Sequence, residues 1–568
     1  MEVTTIIIAA IIIVGLQAAF IVSGMSARKK RLIALAEAFG KPPLSPPGAL
    51  EYELPSIGKY AQYMKDSPGC MGEQFAKRTT SPEGENKPLR VDSITWNDLD
   101  MDKVFARINV CHTSVGEEYL YNCLHELPLN SDRLEERENL VEFFQKHPDK
   151  RLTIQSYLAY AGKENYNGLP QLLFFGEAKM LRYPWAYNVL AVLPVLAGGL
   201  MFFNLPIGFF GVVGAFILNL MIYLRTKSLV DVEIPTIGYL TDVLRAVKRI
   251  CKNNDLENLP GADELQKIYA VFKPVIRKAP SVKTTAGDLM DSAFQYVNIL
   301  FLYDIRKYNT FVKLILRHRK DLHRLYRAVG EIDTALCVLS LRMSLPIAGL
   351  PKFHAENTIE FSEVFHPLLA SPVTNSGRFD KPGLITGSNA SGKSTFIKAL
   401  AINGILAQTL NTVSARAFKM RHSLVMTSMA LRDDISGGES YFIVEIKSLK
   451  RILDAVGEFP CVCFIDEILR GTNTVERLAA SSAVLEFLYT RGCLCLTASH
   501  DIELTRILDG KYENFHFLET VTDGGVEFDY LLKPGPSVTR NALKLLKFTG
   551  FDPGIIERAE SLAEGAVI

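Results

Sequence analysis

The chain has 568 residues, of which 48% are hydrophobic and 22% charged, and its formal net charge is +1. This length suffices for about three or four domains, and the composition is that of a folded protein rather than a disordered one. The balanced charge gives no overall basic excess, so any nucleic-acid binding has to come from a local patch. The nine cysteines are too few and too scattered for a disulfide framework.

The first predicted element is a membrane anchor over residues 1–24. Thr4–Ser23 carries no charged side chain and is long enough to cross a bilayer. The basic run Arg28–Arg31 follows the apolar stretch, whereas a secretory signal has its basic residues before it. The positive-inside rule therefore predicts an N-terminus outside and a cytoplasmic remainder.

A linker is predicted over residues 25–95, because proline and glycine are frequent there. Residues 96–182 and 225–350 then show apolar side chains recurring at intervals of three and four, which predicts an all-α region in two parts. Thr113 or Ser114 is expected to cap one helix, and Ser131 to begin the next.

The two helical parts are separated by a predicted transmembrane hairpin over residues 183–224. This stretch has no charged side chain, and basic residues bound it at Arg182 and at Arg225. Asn204–Pro206 breaks the run, which predicts two spans, Trp185–Phe203 and Leu205–Leu224. With the first anchor they make three transmembrane helices, the topology of a multi-pass protein of the cell (plasma) membrane whose C-terminal part lies in the cytoplasm.

The segment from Arg306 to Arg327 is rich in basic residues. One interpretation is a contact with nucleic-acid phosphates or with lipid headgroups. The other, which the interleaved apolar positions favour, is the solvated face of an ordinary amphipathic helix.

The motif on which the functional interpretation depends is a phosphate-binding loop, Gly387–Ser394, of the form G-x-x-x-x-G-K-[ST]. A short apolar strand, Pro382–Thr386, precedes it and a helix is predicted to follow, which is the setting that the motif requires. The backbone N–H groups would face the phosphates of ATP, Lys393 would reach the β- and γ-phosphates, and the Ser394 hydroxyl would bind Mg²⁺. The predicted nucleotide-binding residues are Gly387, Ser388, Asn389, Ala390, Ser391, Gly392, Lys393, Ser394 and Thr395.

Two further apolar runs end in side chains that complete an ATPase. The first leads into Asp466, suited to the Mg²⁺ shell, and Glu467, suited to polarising the attacking water. The second ends at His500, which can sense the γ-phosphate. A lone histidine is more often structural, but ligands bind at the carboxyl ends of parallel strands, and this position favours function.

The turn at Ser436 and two pairs of cysteines are further candidate functional features. The turn at Ser436 can present N–H groups to an anion and has no evident target in its own chain, which suggests a neighbouring subunit's nucleotide. The cysteine pairs Cys461/Cys463 and Cys493/Cys495 each place two sulfurs on one strand face. Buried reduced thiols are the favoured interpretation there, and a metal site is the alternative.

In combination, the motifs resemble the MutS family of ABC-type ATPases. The segments that carry the resemblance are Gly387–Thr395, Asp433–Ser440, Asp466–Thr472 and Ser499–Thr505, with His366, Pro367 and Asn375 upstream and Tyr530–Pro536 downstream. The similarity covers the chain from Phe361 onward and extends weakly to Trp96–Phe144, which looks like the start of the family's helical core and lever. The fold class implied is an α/β P-loop ATPase domain over residues 351–568, joined to an all-α core and lever region.

The resemblance implies a homodimer of ATPase domains that bind ATP and Mg²⁺ at their interface. Each nucleotide would lie between the phosphate loop of one subunit and the Ser436 turn of the partner subunit. Family members clamp DNA, which makes DNA a candidate partner here beside the membrane. Mismatch readers of the family carry an N-terminal domain with a Phe-x-Glu wedge, whereas this chain begins with a predicted anchor and linker. ATP binding is therefore expected to carry over, and mismatch recognition is not.

The function predicted from sequence is that of a membrane-anchored MutS-like ATPase, whose helical levers respond to the nucleotide. Two alternatives stay open: a nucleotide-gated membrane scaffold, and a transport-type ATPase without DNA binding. The predicted spans carry no intramembrane charge of the kind that marks a transport pathway.

Overall fold

The computed structural model describes residue 26 and residues 29–43, 49–66, 89–128, 130–164, 167–175, 180–230, 233–278, 296–388, 391–429, 441–522, 525–537 and 550–565. The predicted anchor Thr4–Ser23, the Ser436 turn and two phosphate-loop residues, Asn389 and Ala390, lie outside these ranges.

The helices are numbered in chain order. They are α1 Ala49–Asp66, α2 Ser93–Asp98, α3 Met101–Ile108, α4 Ser114–His125, α5 Asp132–Lys146, α6 Pro148–Ala161, α7 Leu169–Phe175, α8 Pro184–Leu200, α9 Leu205–Leu229, α10 Glu233–Cys251, α11 Ala262–Lys278, α12 Tyr303–Arg317, α13 Arg319–Ser344, α14 Lys393–Leu410, α15 Tyr441–Ala455, α16 Thr474–Thr490, α17 Glu503–Ile507 and α18 Pro553–Gly565. Residues 296–301 are also helical.

The strands are likewise numbered in chain order. They are β1 Leu89–Arg90, β2 Glu126–Leu127, β3 Pro351–Phe353, β4 Ile359–Val364, β5 Asn375–Phe379, β6 Gly383–Thr386, β7 Ala417–Met420, β8 Leu424–Ser428, β9 Cys461–Asp466, β10 Leu494–Ser499, β11 Glu513–Thr522 and β12 Gly525–Pro534.

The chain divides into two compact units that interleave along the sequence. The first contains residues up to 72, 109–122 and 139–340, and the second contains residues 73–108, 123–138 and 341–568. The contiguous domains predicted from sequence, 96–182, 225–350 and 351–568, therefore differ from these units. The reason is that segments such as 96–108 and 123–138 group in space with elements that lie far along the chain.

The second unit is built around a six-stranded sheet in the order β12-β11-β6-β10-β9-β8. Neighbouring strands from β8 to β11 are parallel, and β12 pairs antiparallel with β11. Every residue of β6, β9 and β10 is buried, which agrees with their nearly continuous apolar sequences. A smaller sheet has the order β3-β7-β4-β5. The α/β class predicted for the ATPase domain is confirmed.

In its described residues the first unit consists of helices and loops, and the predicted helix start at Thr113 is confirmed. The Thr113 hydroxyl accepts a hydrogen bond from the Gly116 N–H at 2.9 Å and donates to the Asp333 carboxylate at 2.7 Å. A side chain at position 116 would meet Asp333, because a Cβ there would lie 2.2 Å from its carboxylate oxygen. Glycine thus lets α4 approach the buried carboxylate that fixes its first turn.

The predicted hairpin is present as α8 and α9, joined by the turn 201–204. Asn204 caps α9 by accepting a hydrogen bond from the Ile207 N–H at 3.3 Å. The two helices pack closely, since a Cβ on Gly211 would lie 3.2 Å from the Ala197 side chain. At the turn Phe202 and Phe203 are 92% and 90% exposed, so the hairpin presents large apolar side chains outward.

The expectation of three spanning helices is wrong for the part of the chain that the structure describes. One helix there, Leu205–Leu229, is long and apolar enough to cross a membrane, while Pro184–Leu200 has only 17 residues. At 1.5 Å per residue this shorter helix is about 25 Å long, against a hydrocarbon core of about 30 Å. The chain has to reverse its direction before α9 begins at the Asn204 cap. The turn therefore takes up residues 201–203, the end of the predicted span Trp185–Phe203.

Cys461, Cys463, Cys493 and Cys495 lie buried in β9 and at β10, as expected. The sulfur of Cys463 lies 3.5 Å from that of Cys461 and 3.3 Å from that of Cys493. Cys495 instead faces the Thr497 hydroxyl at 3.3 Å. Both interpretations of these thiols, reduced core residues or a metal site, therefore concern three sulfurs rather than two pairs.

Candidate nucleotide-binding site

Three parallel strands bring the predicted functional side chains to one edge of the six-stranded sheet. β10 lies between β6 and β9, and the three strands run in the same direction. The phosphate loop follows β6, Asp466 ends β9 and His500 follows β10. Residues separated by more than a hundred positions in sequence thus share the edge at which parallel sheets bind ligands.

Two glycines shape the phosphate loop. Gly387 has φ of 146° and Gly392 has φ of 100°, a region that side-chain-bearing residues rarely adopt. Space is also limited at Gly392, where a Cβ would lie 3.0 Å from the ring of Tyr530. The Ser391 hydroxyl donates to the Ser388 carbonyl at 2.8 Å and closes the turn between them.

Lys393 begins α14 and is directed back into the loop. Its amino group donates to the carbonyls of Gly387 and Ser388 at 2.7 and 2.6 Å. Burial lowers the pKa of Lys393 to about 8, although the nearby charges of Asp466 and Glu467 act in the opposite direction. The amine is thus a buried cation held by neutral acceptors, a state that a phosphate oxygen would stabilise.

The remaining predicted nucleotide residues are at the start of the same helix. Ser391 is buried, whereas Ser394 and Thr395 are exposed in the first turn of α14. Asp466 is buried at the end of β9, close enough to Lys393 for their charges to interact. A serine hydroxyl and a carboxylate are oxygen ligands of the kind that Mg²⁺ takes beside phosphate groups, so this donor set fits the metal.

Glu467 directly follows β9 and has an unusual backbone conformation. Its φ is 64°, and that of Leu469 is 56°, so the chain turns sharply at this point. The Glu467 N–H donates to the Ala498 carbonyl at 3.0 Å, which ties this turn to β10. Left-handed conformations of residues other than glycine cost free energy and are concentrated at functional sites.

The Glu467 carboxylate has two basic partners. His500 Nε2 lies 2.9 Å from one carboxylate oxygen, and Arg470 Nε donates to the other. Burial by itself would raise the pKa of Glu467, but the hydrogen bonds from His500 and Arg470 outweigh it and lower the pKa to about 2. Glu467 is therefore ionised at neutral pH. It can accept hydrogen bonds and orient their donors, but with this pKa it is a weak base.

Three residues without a predicted role also contact this site. Arg470 pairs with Glu467, Tyr530 packs on Gly392, and Glu519 on β11 accepts a hydrogen bond from the Ser388 hydroxyl. Asn375 holds the strand that carries Tyr530, through bonds to Tyr530 O at 3.0 Å and from Leu532 N at 2.7 Å. Arg470 was recognisable from the motif, whereas the pairing of β11 with β6 brings in Glu519, and the pairing of β12 with β11 brings in Tyr530.

The site combines a glycine-shaped loop, a buried lysine at the start of the following helix, and two carboxylates at the end of β9, the second strand along the sheet from β6. This arrangement defines a P-loop nucleotide-binding domain of the ATPase class. The family model of MutS domain V matches residues 383–565. This part of the chain thus belongs to the MutS domain V family.

MutS proteins match between about a third and about a half of the chain at modest identity. A DNA mismatch repair protein MutS 2 of Haloarcula marismortui is 37% identical over 188 residues, which are 32% of this chain and 20% of that protein. A MutS of Natronomonas pharaonis is 36% identical over 252 residues, 42% of this chain and 29% of that protein. A MutS of Thermus thermophilus is 26% identical over 307 residues, which are 52% of this chain and 37% of that protein. The chain thus spans between a fifth and about a third of the length of these relatives.

Proposed function

We propose that this protein is a membrane-attached MutS-like ATPase that binds and hydrolyses ATP with Mg²⁺ at a dimer interface. The observation that carries the proposal is the common sheet edge shared by Lys393, Asp466, Glu467 and His500. The family membership of the ATPase domain supports it.

The residues of the site have separate tasks in this proposal. Lys393 exchanges the carbonyls of Gly387 and Ser388 for phosphate oxygens, and the loop glycines leave the backbone N–H groups accessible. Glu467, ionised throughout the neutral range, accepts a hydrogen bond from the attacking water and orients it. His500 fixes the position of that carboxylate through its contact at 2.9 Å.

Ser394 and Asp466 are the residues that would hold Mg²⁺. The metal would supply charge neutralisation at the phosphates. The rest of the proposed site comes from the partner subunit, through the turn at Ser436, so that ATP joins the two ATPase domains and its loss releases them. Lever movement in the helical region is the proposed output of this cycle.

Attachment to the plasma membrane is proposed from the hairpin and from the apolar stretch Thr4–Ser23, with the N-terminus outside. On α8 and α9 the exposed large apolar side chains form a nearly continuous set, which in water would be a costly surface. The residues concerned are Trp185, Val189, Val192, Val195, Leu196, Leu200, Phe202, Phe203, Leu205, Ile207, Phe209, Phe210, Val213, Ile217, Leu218, Met221, Leu224 and Leu229. A bilayer is the surrounding that this surface fits.

DNA is the proposed candidate for the partner on which the levers act, since the relatives named above are DNA mismatch repair proteins. Mismatch recognition is not part of the proposal.

The test is the steady-state ATPase rate of the full chain purified in detergent, with and without duplex or branched DNA, at two salt concentrations. The ATPase proposal requires hydrolysis that is lost in Lys393→Ala and Glu467→Gln, and an unchanged rate in Glu467→Gln would refute it. Stimulation by DNA that weakens with salt would support the DNA partner. A rate indifferent to DNA at both salt concentrations would exclude DNA as the effector and leave the ATPase.

A further inference from the structure

The base of the hairpin is packed against α12 through one buried apolar cluster. Its buried members are Leu181, Tyr223, Val230, Ile299, Leu302, Ile305, Tyr308 and Val312. Leu181 is further fixed by Asn309, whose side chain accepts from Leu181 N at 2.9 Å and donates to Leu181 O at 2.8 Å. The first residues of α8, the last turns of α9 and the start of α12 therefore lie together.

Arg182, Arg225, Arg306 and Lys307 are each within two positions of a member of this cluster, and the amino group of Lys227 lies 5.9 Å from the ring centre of its member Tyr223. We call them the basic collar: Arg182, Arg225, Lys227, Arg306 and Lys307. Arg182 and Arg225 are exposed and the other three half-buried. Arg306 also contacts the hairpin directly, since its Nε donates to Asn188 Oδ1 at 2.8 Å. The collar thus surrounds the place where the hairpin leaves the rest of the first unit.

The collar has a surplus of positive charge. Among the described residues, none of its five members has a carboxylate oxygen within 4.0 Å. Two carboxylates face the cluster among the described residues. Asp304 interacts with the charge of Lys227 and accepts a hydrogen bond from Asn298 Nδ2 at 2.5 Å. Glu233 lies close enough to Tyr308 for its charge to act on that side chain. Among the residues that the structure describes, two acidic groups therefore face five basic ones.

The spacing along α9 places these charges at a defined depth. From Leu205 to Arg225 the helix rises about 30 Å, the thickness of the hydrocarbon core of a bilayer. Tyr183 and Trp185, 67% and 65% exposed, lie beside Arg182, where aromatic side chains favour the interface. With the hairpin inserted in the bilayer as far as its base, the collar lies in the near headgroup layer.

We propose that the basic collar binds the phosphates of anionic phospholipids in the membrane that the hairpin enters. This inference rests on the proposed membrane attachment and names the lipid chemistry that the attachment site selects. Continuity with the exposed apolar surface favours lipid over nucleic acid, because a DNA backbone held at the collar would leave the neighbouring apolar side chains in water. Several collar charges converge on one surface, as anionic leaflets require for a preference over neutral lipid.

Trp185 offers a local reporter, because the other tryptophan, Trp96, is buried in the second unit. The full chain is reconstituted in bilayers of phosphatidylcholine that contain a minor fraction of brominated phosphatidylglycerol or, separately, brominated phosphatidylcholine. Bromine quenches tryptophan on contact, so the ratio of the two quenching efficiencies measures the preference of the collar for anionic lipid. The variant is Arg225→Gln/Lys307→Gln, and the charge-matched control is Lys252→Gln/Lys320→Gln at exposed sites outside the collar.

We expect the wild-type chain and the control to prefer phosphatidylglycerol, and the collar variant to lose roughly fivefold of that preference per charge removed. Added salt should reduce the wild-type preference. Equal quenching by the two lipids in the wild-type chain would overturn the inference while leaving membrane attachment supported. Absence of quenching by either lipid would overturn attachment as well. A collar variant that keeps its lipid preference but loses salt-sensitive binding of duplex DNA would assign the collar to DNA instead.

Discussion

Lys393 shows how burial and charge set the behaviour of a single side chain. Burial of the side chain lowers the pKa of its amino group to about 8, although the amine donates to two carbonyls. A bound phosphate favours the charged amine. ATP binding above about pH 8 therefore takes up a proton, and affinity must fall as the pH rises.

The first prediction is that the Kd for ATP increases as the pH rises above about 8, approaching tenfold per pH unit because one proton is taken up. Calorimetric titration of ATP between about pH 7 and about pH 9.5 measures this. Lys393→Arg, whose guanidinium stays charged, is the control and should show a nearly flat profile. A Kd that rises equally in Lys393→Arg would assign the pH dependence to another group.

Glu467 is the second residue whose role follows from its surroundings. With a pKa of about 2, set by His500 and Arg470 against the effect of burial, it stays ionised in the neutral range. We expect Glu467→Gln to bind ATP normally but to hydrolyse it at least about a hundredfold more slowly, since the water loses its negatively charged acceptor. Single-turnover hydrolysis beside equilibrium binding separates the two effects. Loss of binding and hydrolysis together would show that Glu467 serves nucleotide binding rather than the chemical step.

The lowered pKa of Glu467 also predicts how the activity of the wild-type chain depends on pH. The carboxylate of Glu467 does not change its protonation between about pH 5 and 8, because its pKa is lowered far below this range. An activity profile with an acidic limb in that interval would have to come from a different group.

Among the elements, the hairpin is joined to the rest of the first unit by a fully buried polar residue. Asn219 on α9 donates to the Leu190 carbonyl on α8 at 3.2 Å and to the Leu300 carbonyl at 2.7 Å. One side chain thus links three helical segments within an apolar region, where hydrogen bonds between helices contribute to association.

We therefore expect Asn219→Leu to lower the free energy of unfolding by about 1 kcal/mol. Thermal or denaturant unfolding of the full chain in detergent measures the change. Met221→Leu, an outward-facing position of the same helix, is the control and should be nearly neutral. Equal stability of the two variants would mean that the Asn219 bonds contribute nothing measurable.

At the level of the whole molecule, function is proposed to require two copies of the chain. The Ser436 turn has no assigned target in its own chain, and the resemblance to the MutS family places it on the nucleotide of the partner subunit. We expect Ser436→Ala to reduce turnover and ATP-dependent dimerisation, while the ATP affinity of the isolated subunit is retained. Light scattering with and without ATP, beside equilibrium binding, tests this. An equal loss of affinity and turnover would contradict the shared site.

The sequence predicted the elements of the nucleotide site closely, because each depends on local physics. A phosphate loop needs glycines, a lysine and a following helix within a few residues, and β6, Gly387–Ser394 and α14 have this order. The apolar runs before Asp466 and His500 predicted two buried strands for the same reason. The apolar hairpin was also predicted from its sequence, except for the length of its first helix.

Only the tertiary structure determined how these pieces combine. It placed β10 between β6 and β9, which makes Glu467 a neighbour of His500. It brought Glu519 and Tyr530 to the phosphate loop by pairing β11 with β6 and β12 with β11. It also interleaved the two units and gathered the basic collar around one apolar cluster. Local patterns fix helices, strands and loops because their forces act between near neighbours in sequence, whereas pairing and burial depend on contacts between distant segments, which no local pattern records.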